Sequence, residues 1–104
     1  MTKKINVADL PVFDMAEHLK TDDDIANYLT MVLQEDDPAE LTHALGMIAR
    51  ARGMTEVAKI SGLTREALYK ALRPNSQPRF DTISRVCNAL GVRLVAQANT
   101  AQAV

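Results

Sequence analysis

The sequence predicts an all-α protein of five helices with short extended segments at both ends. Aromatic residues make up only 4% of the chain and Trp is absent, whereas Ala, Leu and Met are plentiful, which favours helix over sheet. Apolar residues recur at helical spacing in five segments that are bounded by capping residues, Gly or Pro. A chain of 104 residues is long enough for one modest core.

We expect three regions along the chain. Residues 1–20 form a leader, in which Pro11 argues against a central strand. Residues 21–97 form the helical domain, and residues 98–104 form a frayed tail.

The first helix is predicted over residues 22–35, because Thr21 and Asp24 have the spacing of a capping box. The residues at helical spacing, which we expect to face inward, are Ile25, Tyr28, Leu29, Val32 and Leu33. The methionines at positions 31, 47 and 54 lie among core positions and are interpreted as packing residues.

The second helix is predicted over residues 38–52. Asp37 is placed to cap it, Pro38 suits its first turn, and Gly53 ends it. Arg50 and Arg52 then lie at the negative end of the helix dipole. The inward residues are Leu41, Ala44, Leu45 and Ile48.

Three shorter helices follow. The sequence "TEVAKIS" ends at Gly62, "TREALYKAL" is capped by Thr64 and stopped by Pro74, and "DTISRVCNAL" ends at Gly91. The next segment, "VRLVAQ", alternates apolar and polar residues and weakly predicts a strand over residues 92–97.

The formal charge of −1 conceals a division between the halves of the chain. Residues 1–45 carry three lysines against ten acidic residues, a net charge of −7, and residues 46–104 carry nine basic residues against three acidic ones, a net charge of +6. Such asymmetry indicates two surfaces with different partners, a basic one for polyanions and an acidic one for a basic molecule. Alternatively, the halves fold together and the charges mix in space.

Residues 54–72 have the pattern of a helix-turn-helix. Two short helices that cross steeply need a small residue at their contact and a turn residue that accepts positive φ. Ala58 and Gly62 meet these needs. The full set of structural positions in this motif is Val57, Ala58, Gly62, Leu63 and Leu68.

In this interpretation the helix from Thr64 to Leu72 enters the major groove of DNA with its first turn toward the bases. Arg65 can bind guanine and Glu66 can accept from cytosine, whereas basic residues at the helix end and in the loop contact phosphates. The predicted DNA-binding residues are Thr64, Arg65, Glu66, Tyr69, Lys70, Arg73, Asn75 and Arg79. As an alternative, the two helices are an ordinary pair within a bundle and these charges are solvated.

No pattern in the sequence indicates an enzyme, a cofactor, a metal site or a small-molecule substrate. Asp22, Asp23 and Asp24 are interpreted as residues that cap a helix, and His18 and His43 lack partners at metal-ligand spacing. The single cysteine, Cys87, excludes an internal disulfide and fits a reducing compartment. No apolar run approaches the roughly 20 residues of a membrane span, and the first residues do not form a secretory signal.

Two segments carry a family resemblance. The sequences "ALGMIARARGMTEVAKISGLTREALYKAL" and "PRFDTISRVCNALGVRL" resemble addiction-module antidote proteins, a HigA-like branch of the Cro and lambda-repressor type helix-turn-helix proteins. The resemblance extends over about residues 13–95. Ser76 and Gln77 replace the common Gly-Asn before the loop proline, and Met54 replaces a Gln that clamps a phosphate in many repressors.

The resemblance implies a cytoplasmic antitoxin of a type II toxin–antitoxin module with a lambda-repressor-like fold. Its partners are then a small RelE/HigB-like toxin, which is basic because it binds RNA, and double-stranded operator DNA, bound as a homodimer. The last helix and "VRLVAQ" are candidates for the dimer surface. Two alternatives remain: a stand-alone transcriptional repressor without a toxin, and a protein-only inhibitor with a vestigial DNA-binding motif.

Overall fold

The computed structural model describes residues 18–99, which form five α-helices and no strand. The predicted all-α class and the number of helices are therefore confirmed for this part of the chain. The leader and the tail lie largely outside the described residues. The helices are α1 (Asp22–Leu33), α2 (Pro38–Arg52), α3 (Met54–Ser61), α4 (Arg65–Leu72) and α5 (Phe80–Ala89).

One hydrophobic core receives side chains from all five helices. Ile25 of α1, Ile48 of α2 and Leu68 of α4 are almost completely inaccessible to solvent. α3 adds Val57, and α5 adds Val86. Burial of these apolar side chains is the main driving force that holds the short helices together.

α1 begins as predicted but exposes two residues that the sequence placed inside. Asp24 N donates to Thr21 Oγ1 at 3.0 Å, and the Asp24 carboxylate accepts from the backbone N–H of Thr21, which completes the capping box. Leu33 is 42% exposed because it lies in the last turn, at the edge of the core. Met31 is 60% exposed because it follows buried Leu29 by two residues, about 200° around the helix.

α2 has the predicted bounds. The Asp37 carboxylate accepts from Ala39 N at 3.0 Å, Pro38 occupies the first turn, and Gly53 ends the helix with φ 107°. Gly46 is buried in the middle of α2, and a Cβ atom there would lie 3.3 Å from the carbonyl oxygen of Leu72. The absence of a side chain at Gly46 therefore allows the end of α4 to pack closely against α2.

The turn between α3 and α4 has left-handed geometry at Gly62, where φ is 79°. The backbone N–H of Leu63 reaches back to the Ala58 carbonyl at 3.0 Å. The Thr64 hydroxyl then accepts from Ala67 N at 3.0 Å and starts α4. A residue with a Cβ atom is strained at such φ values, so this connection depends on glycine.

α5 starts at Phe80, one residue before the predicted helix, and Arg79 at its N-cap makes no side-chain capping bond. The predicted strand over residues 92–97 is wrong, because this segment finds no second strand among residues 18–99 to pair with. The half-buried side chains of Val92 and Leu94 pack against the core instead. The alternation in the sequence thus reflects one buried side of an irregular segment.

Candidate nucleic-acid interface

α4 presents one buried face and one exposed polar face. Leu68 and Leu72 point into the core, and α4 packs against both α2 and α3. α4 ends at Leu72 because Pro74 disfavours helical geometry at the preceding residue, Arg73, whose ψ is 159°. The helix is thereby fixed on two neighbours with its other side open to solvent.

The exposed side of α4 forms one wall of a shallow, open groove. The side chains that line this groove, which we call the basic groove, are Arg50, Arg65, Glu66, Tyr69, Lys70 and Arg73. Five of them are among the DNA-binding residues predicted from the sequence. The sixth, Arg50, comes from α2.

Two groove side chains hold each other in place. The guanidinium of Arg65 donates a hydrogen bond from Nη2 to the Tyr69 hydroxyl at 3.1 Å, and its central carbon lies 5.5 Å from the centre of the Tyr69 ring. The contacts combine a hydrogen bond with a cation–π interaction. The contact restricts Arg65 near the first turn of α4 and leaves its other N–H groups for a ligand.

The basic groove is electrostatically unbalanced. Four cations surround one carboxylate, Glu66, and none of the four forms an ion pair within residues 18–99. Two other arginines of the described chain are paired: Arg52 with Asp22 at 3.5 Å and Arg85 with Asp81 at 3.4 Å. A cluster of cations that lack acidic partners creates a positive potential, which favours binding of a polyanion.

Residues from the acidic half (1–45) and the basic half (46–104) of the chain are in contact at one place and separated at another. The Arg52–Asp22 pair joins the basic half to the acidic half. However, no residue from the described part of the acidic half, 18–45, lines the basic groove. The charge division seen in the sequence is therefore preserved at this groove.

The remaining predicted DNA-binding residues lie outside the lining of the groove. Thr64 caps α4. Asn75 is exposed in the loop after α4 with φ 67°, and Arg79 is exposed directly before α5. In the same loop the Ser76 hydroxyl donates to the Ala71 carbonyl at 2.6 Å. This bond ties the loop to the end of α4.

The five motif positions lie behind the exposed face. Val57, Ala58 and Leu68 are buried, Leu63 is half-buried, and Gly62 occupies the left-handed turn. The four residues other than Gly62 contact the core and leave the solvent side of α4 to polar residues.

Arg50 is the groove residue that the sequence analysis missed as a binding residue, since it was assigned only to the dipole of α2. A pattern that could have revealed it is Gly46 one turn earlier. A glycine in the middle of an amphipathic helix indicates close approach of another element, and Arg50 four residues later lies on the same side.

Other chemically distinctive groups have structural surroundings. Burial raises the pKa of the Cys87 thiol to about 11, so the neutral form dominates near neutral pH. Burial, followed by the negative charges of Glu40 and Glu35, raises the pKa of Tyr28. In residues 18–99 no cluster of three or more His, Cys, Asp or Glu side chains is placed to hold a metal, and no helix there has the length and apolarity to cross a bilayer.

The described residues form a small all-α domain in which α4 follows α3 across a left-handed turn at Gly62 and forms one wall of the basic groove. The chain belongs to the family described as probable addiction module antidote proteins, whose model matches residues 9–98. A Haemophilus influenzae protein described as uncharacterised is 45% identical over 85 residues, which cover 82% of this chain and 88% of that protein. No solved structure gives a significant match.

Proposed function

We propose that this protein is the antitoxin of a type II toxin–antitoxin module. It neutralises a RelE/HigB-like toxin in the cytoplasm and, as a dimer, binds operator DNA to repress its own operon. Membership of the antidote family supports the role of antidote. The observation that carries the DNA-binding part is the exposed face of α4, where cations that form no ion pair within residues 18–99 flank one carboxylate.

In this proposal α4 lies in the major groove. Arg65, at the start of the helix, forms hydrogen bonds with a guanine, and Glu66 accepts from the amino group of a cytosine. Lys70 and Arg73 lie further along and bind backbone phosphates, which set the position of the helix without reading sequence. Asn75 and Arg79 extend the phosphate contacts along the loop.

The functional unit is a homodimer. A helix of eight residues reads few bases, and two copies bound to half-sites about 34 Å apart supply the remaining specificity. The segment over residues 92–97 and α5 supply the dimer surface. In support, Val95 is 76% exposed and, together with Leu33, lines an open groove between α1 and this segment.

The acidic half binds the toxin. The acidic side chains of the first turn of α1 and of the α1–α2 connection lie outside the basic groove, and the toxin class implied by the resemblance is basic. Opposite charges accelerate association and favour the correct orientation. We therefore assign much of the toxin contact to residues 1–45, and deletion of residues 1–20 should weaken neutralisation.

Mobility shifts with the upstream region of the gene, over a series of salt concentrations, test the DNA-binding part. Arg65→Ala should weaken binding to the operator by roughly 1–3 kcal/mol and relax the preference at one base pair. Arg79→Ala should weaken binding to operator and unrelated DNA alike and reduce the salt dependence. Equal losses on both DNAs in both variants would contradict this division of roles.

Co-expression with the adjacent open reading frame tests the antitoxin part. We expect the protein to restore growth that the neighbouring gene product inhibits, and the chain without residues 1–20 to do so less well. Operator binding without rescue of growth would support a stand-alone repressor. Rescue without salt-sensitive, specific DNA binding would support a protein-only inhibitor.

A further inference from the structure

The last turn of α2 carries two exposed arginines with different surroundings. Arg52 points toward the start of α1, where its Nη2 lies 3.5 Å from Oδ1 of Asp22. Arg50, two residues earlier, lines the basic groove beside the exposed face of α4 and forms no ion pair within residues 18–99. Two residues correspond to about 200° of rotation around a helix, which explains the opposite directions.

The Arg50 guanidinium lies close to Gly46. A Cβ atom at Gly46 would lie 3.2 Å from Nη1 of Arg50 and 3.3 Å from the carbonyl oxygen of Leu72. Both distances are shorter than ordinary contacts of a Cβ atom. Because Gly46 has no side chain, the Arg50 guanidinium and the end of α4 can both pack against its Cα atom. Gly46 links the packing of α4 on α2 to the placement of a cation in the groove.

We infer that Arg50 is a phosphate-binding residue of the DNA interface, contributed from outside the helix-turn-helix unit, and that Gly46 is the residue that positions it. This inference rests on the proposed DNA-binding function. Arg50 reaches the groove from α2, beside the C-terminal end of α4, whereas bases are approached by the first turn of α4. A guanidinium at that edge matches a backbone phosphate, which it can bind through two parallel N–H groups.

The neighbouring charges favour the same ligand. Arg73, at the end of α4, lines the groove with Arg50, and among residues 18–99 Glu66 is the only carboxylate in the lining. Cations that share a groove repel one another in the free protein, and a bound polyanion removes this repulsion. Arg50 and Arg73 thus form the edge of the interface that follows the DNA backbone, while Arg65 occupies the start of α4.

Arg50→Ala and Arg52→Ala form a matched pair for the test, because each removes one cation from the same turn of the same helix. Binding of the full chain is measured by fluorescence anisotropy on the operator and on an unrelated duplex, over a series of salt concentrations. Arg50→Ala should weaken binding to both duplexes by the same factor, about fivefold near 0.15 M salt, and lower the salt slope by about 1. Arg52→Ala should leave both affinities within about twofold of wild type, and Arg50→Lys should preserve the slope.

Gly46→Ala tests the positioning role. It should weaken binding to both duplexes, and Arg50→Ala should then have little further effect in the Gly46→Ala background. Full additivity of the two substitutions would overturn the positioning role. Since Gly46→Ala can disturb the core, circular dichroism melting is recorded, and Arg50→Ala, on an exposed residue, tests the phosphate contact independently.

The remaining outcomes separate this inference from the function on which it rests. Wild-type protein that binds no duplex would overturn the proposed DNA binding. Normal wild-type binding with no effect of Arg50→Ala, or with equal effects of Arg50→Ala and Arg52→Ala, would overturn only the assignment of Arg50. Loss confined to the operator would also overturn it, because it would show a base contact.

Discussion

Arg65 and Tyr69, one turn apart on the exposed face of α4, hold each other through a 3.1 Å hydrogen bond and a ring contact at 5.5 Å. Arginine side chains lose considerable conformational entropy when they bind a ligand. The Tyr69 contact fixes part of that freedom in the free protein. In the proposed DNA complex, this contact would reduce the entropy that Arg65 loses when it binds a base, and Tyr69 itself remains 40% exposed.

Tyr69→Phe should weaken operator binding by about 0.5–1.5 kcal/mol, because it removes the hydroxyl that accepts from Arg65 and retains the ring. Binding to unrelated DNA should change little, since the charge is unchanged. Fluorescence anisotropy on both duplexes measures the difference. If Tyr69→Phe weakened both equally, the hydroxyl would contact DNA directly instead of orienting Arg65.

Thr64→Ala should destabilise the fold by about 1 kcal/mol, because the backbone N–H of Ala67 loses the hydroxyl that caps α4. Thr64→Ser is the control and should retain most of the stability, since it keeps the oxygen. Urea denaturation followed by circular dichroism gives both values. Equal losses in the two variants would show that the Thr64 methyl group, and not the cap, carries the effect.

Gly91→Ala should destabilise the fold more than Gly62→Ala. Both glycines have positive φ, 87° and 79°, so each substitution costs about 1–2 kcal/mol of backbone strain. A Cβ at Gly91 would also lie 2.5 Å from the Asp22 carboxylate, whereas at Gly62 the nearest atom is an ordinary contact at 3.7 Å. The Asp22 side chain must therefore move, and loss of its ion pair with Arg52 would add up to about 1 kcal/mol.

Urea denaturation of the two glycine variants checks this order. In an Asp22→Ala background the additional cost at Gly91 should disappear, and Gly91→Ala should resemble Gly62→Ala. Persistence of the difference in that background would place its origin in the backbone and not in the carboxylate contact.

Above pH 9 the folded protein should lose stability because of Cys87. Burial raises the pKa of this thiol from 9.0 to about 11 in the folded state, so its contribution is fully present below pH 9. It declines as the pH rises toward 11, by about 1.4 kcal/mol per pH unit, because the unfolded chain releases the proton first. Comparison with Cys87→Ala isolates the effect from other groups that titrate there. Parallel stability profiles of the two proteins would contradict it.

The sequence predicted those parts of the fold that depend on neighbouring residues. Thr21 with Asp24, and Asp37 with Pro38, identified where α1 and α2 begin, because capping bonds join residues two or three positions apart. The spacing around Leu68 similarly identified which side of α4 faces solvent. Local patterns did not predict the exposure of Met31 and Leu33, because burial depends on where the core ends. They also wrongly predicted a strand over residues 92–97, because a strand needs a partner from another part of the chain.

The candidate site divides in the same way. The sequence by itself determined the polar face of α4, because Arg65, Tyr69 and Lys70 share that face through helical geometry alone. Only the tertiary structure decided that Arg50 joins this face while Arg52 pairs with Asp22. The physical reason is that α2 and α4 meet through the space left by Gly46. Contacts between segments distant in the chain depend on how the helices pack, and the spacing of residues within one segment does not predict that packing.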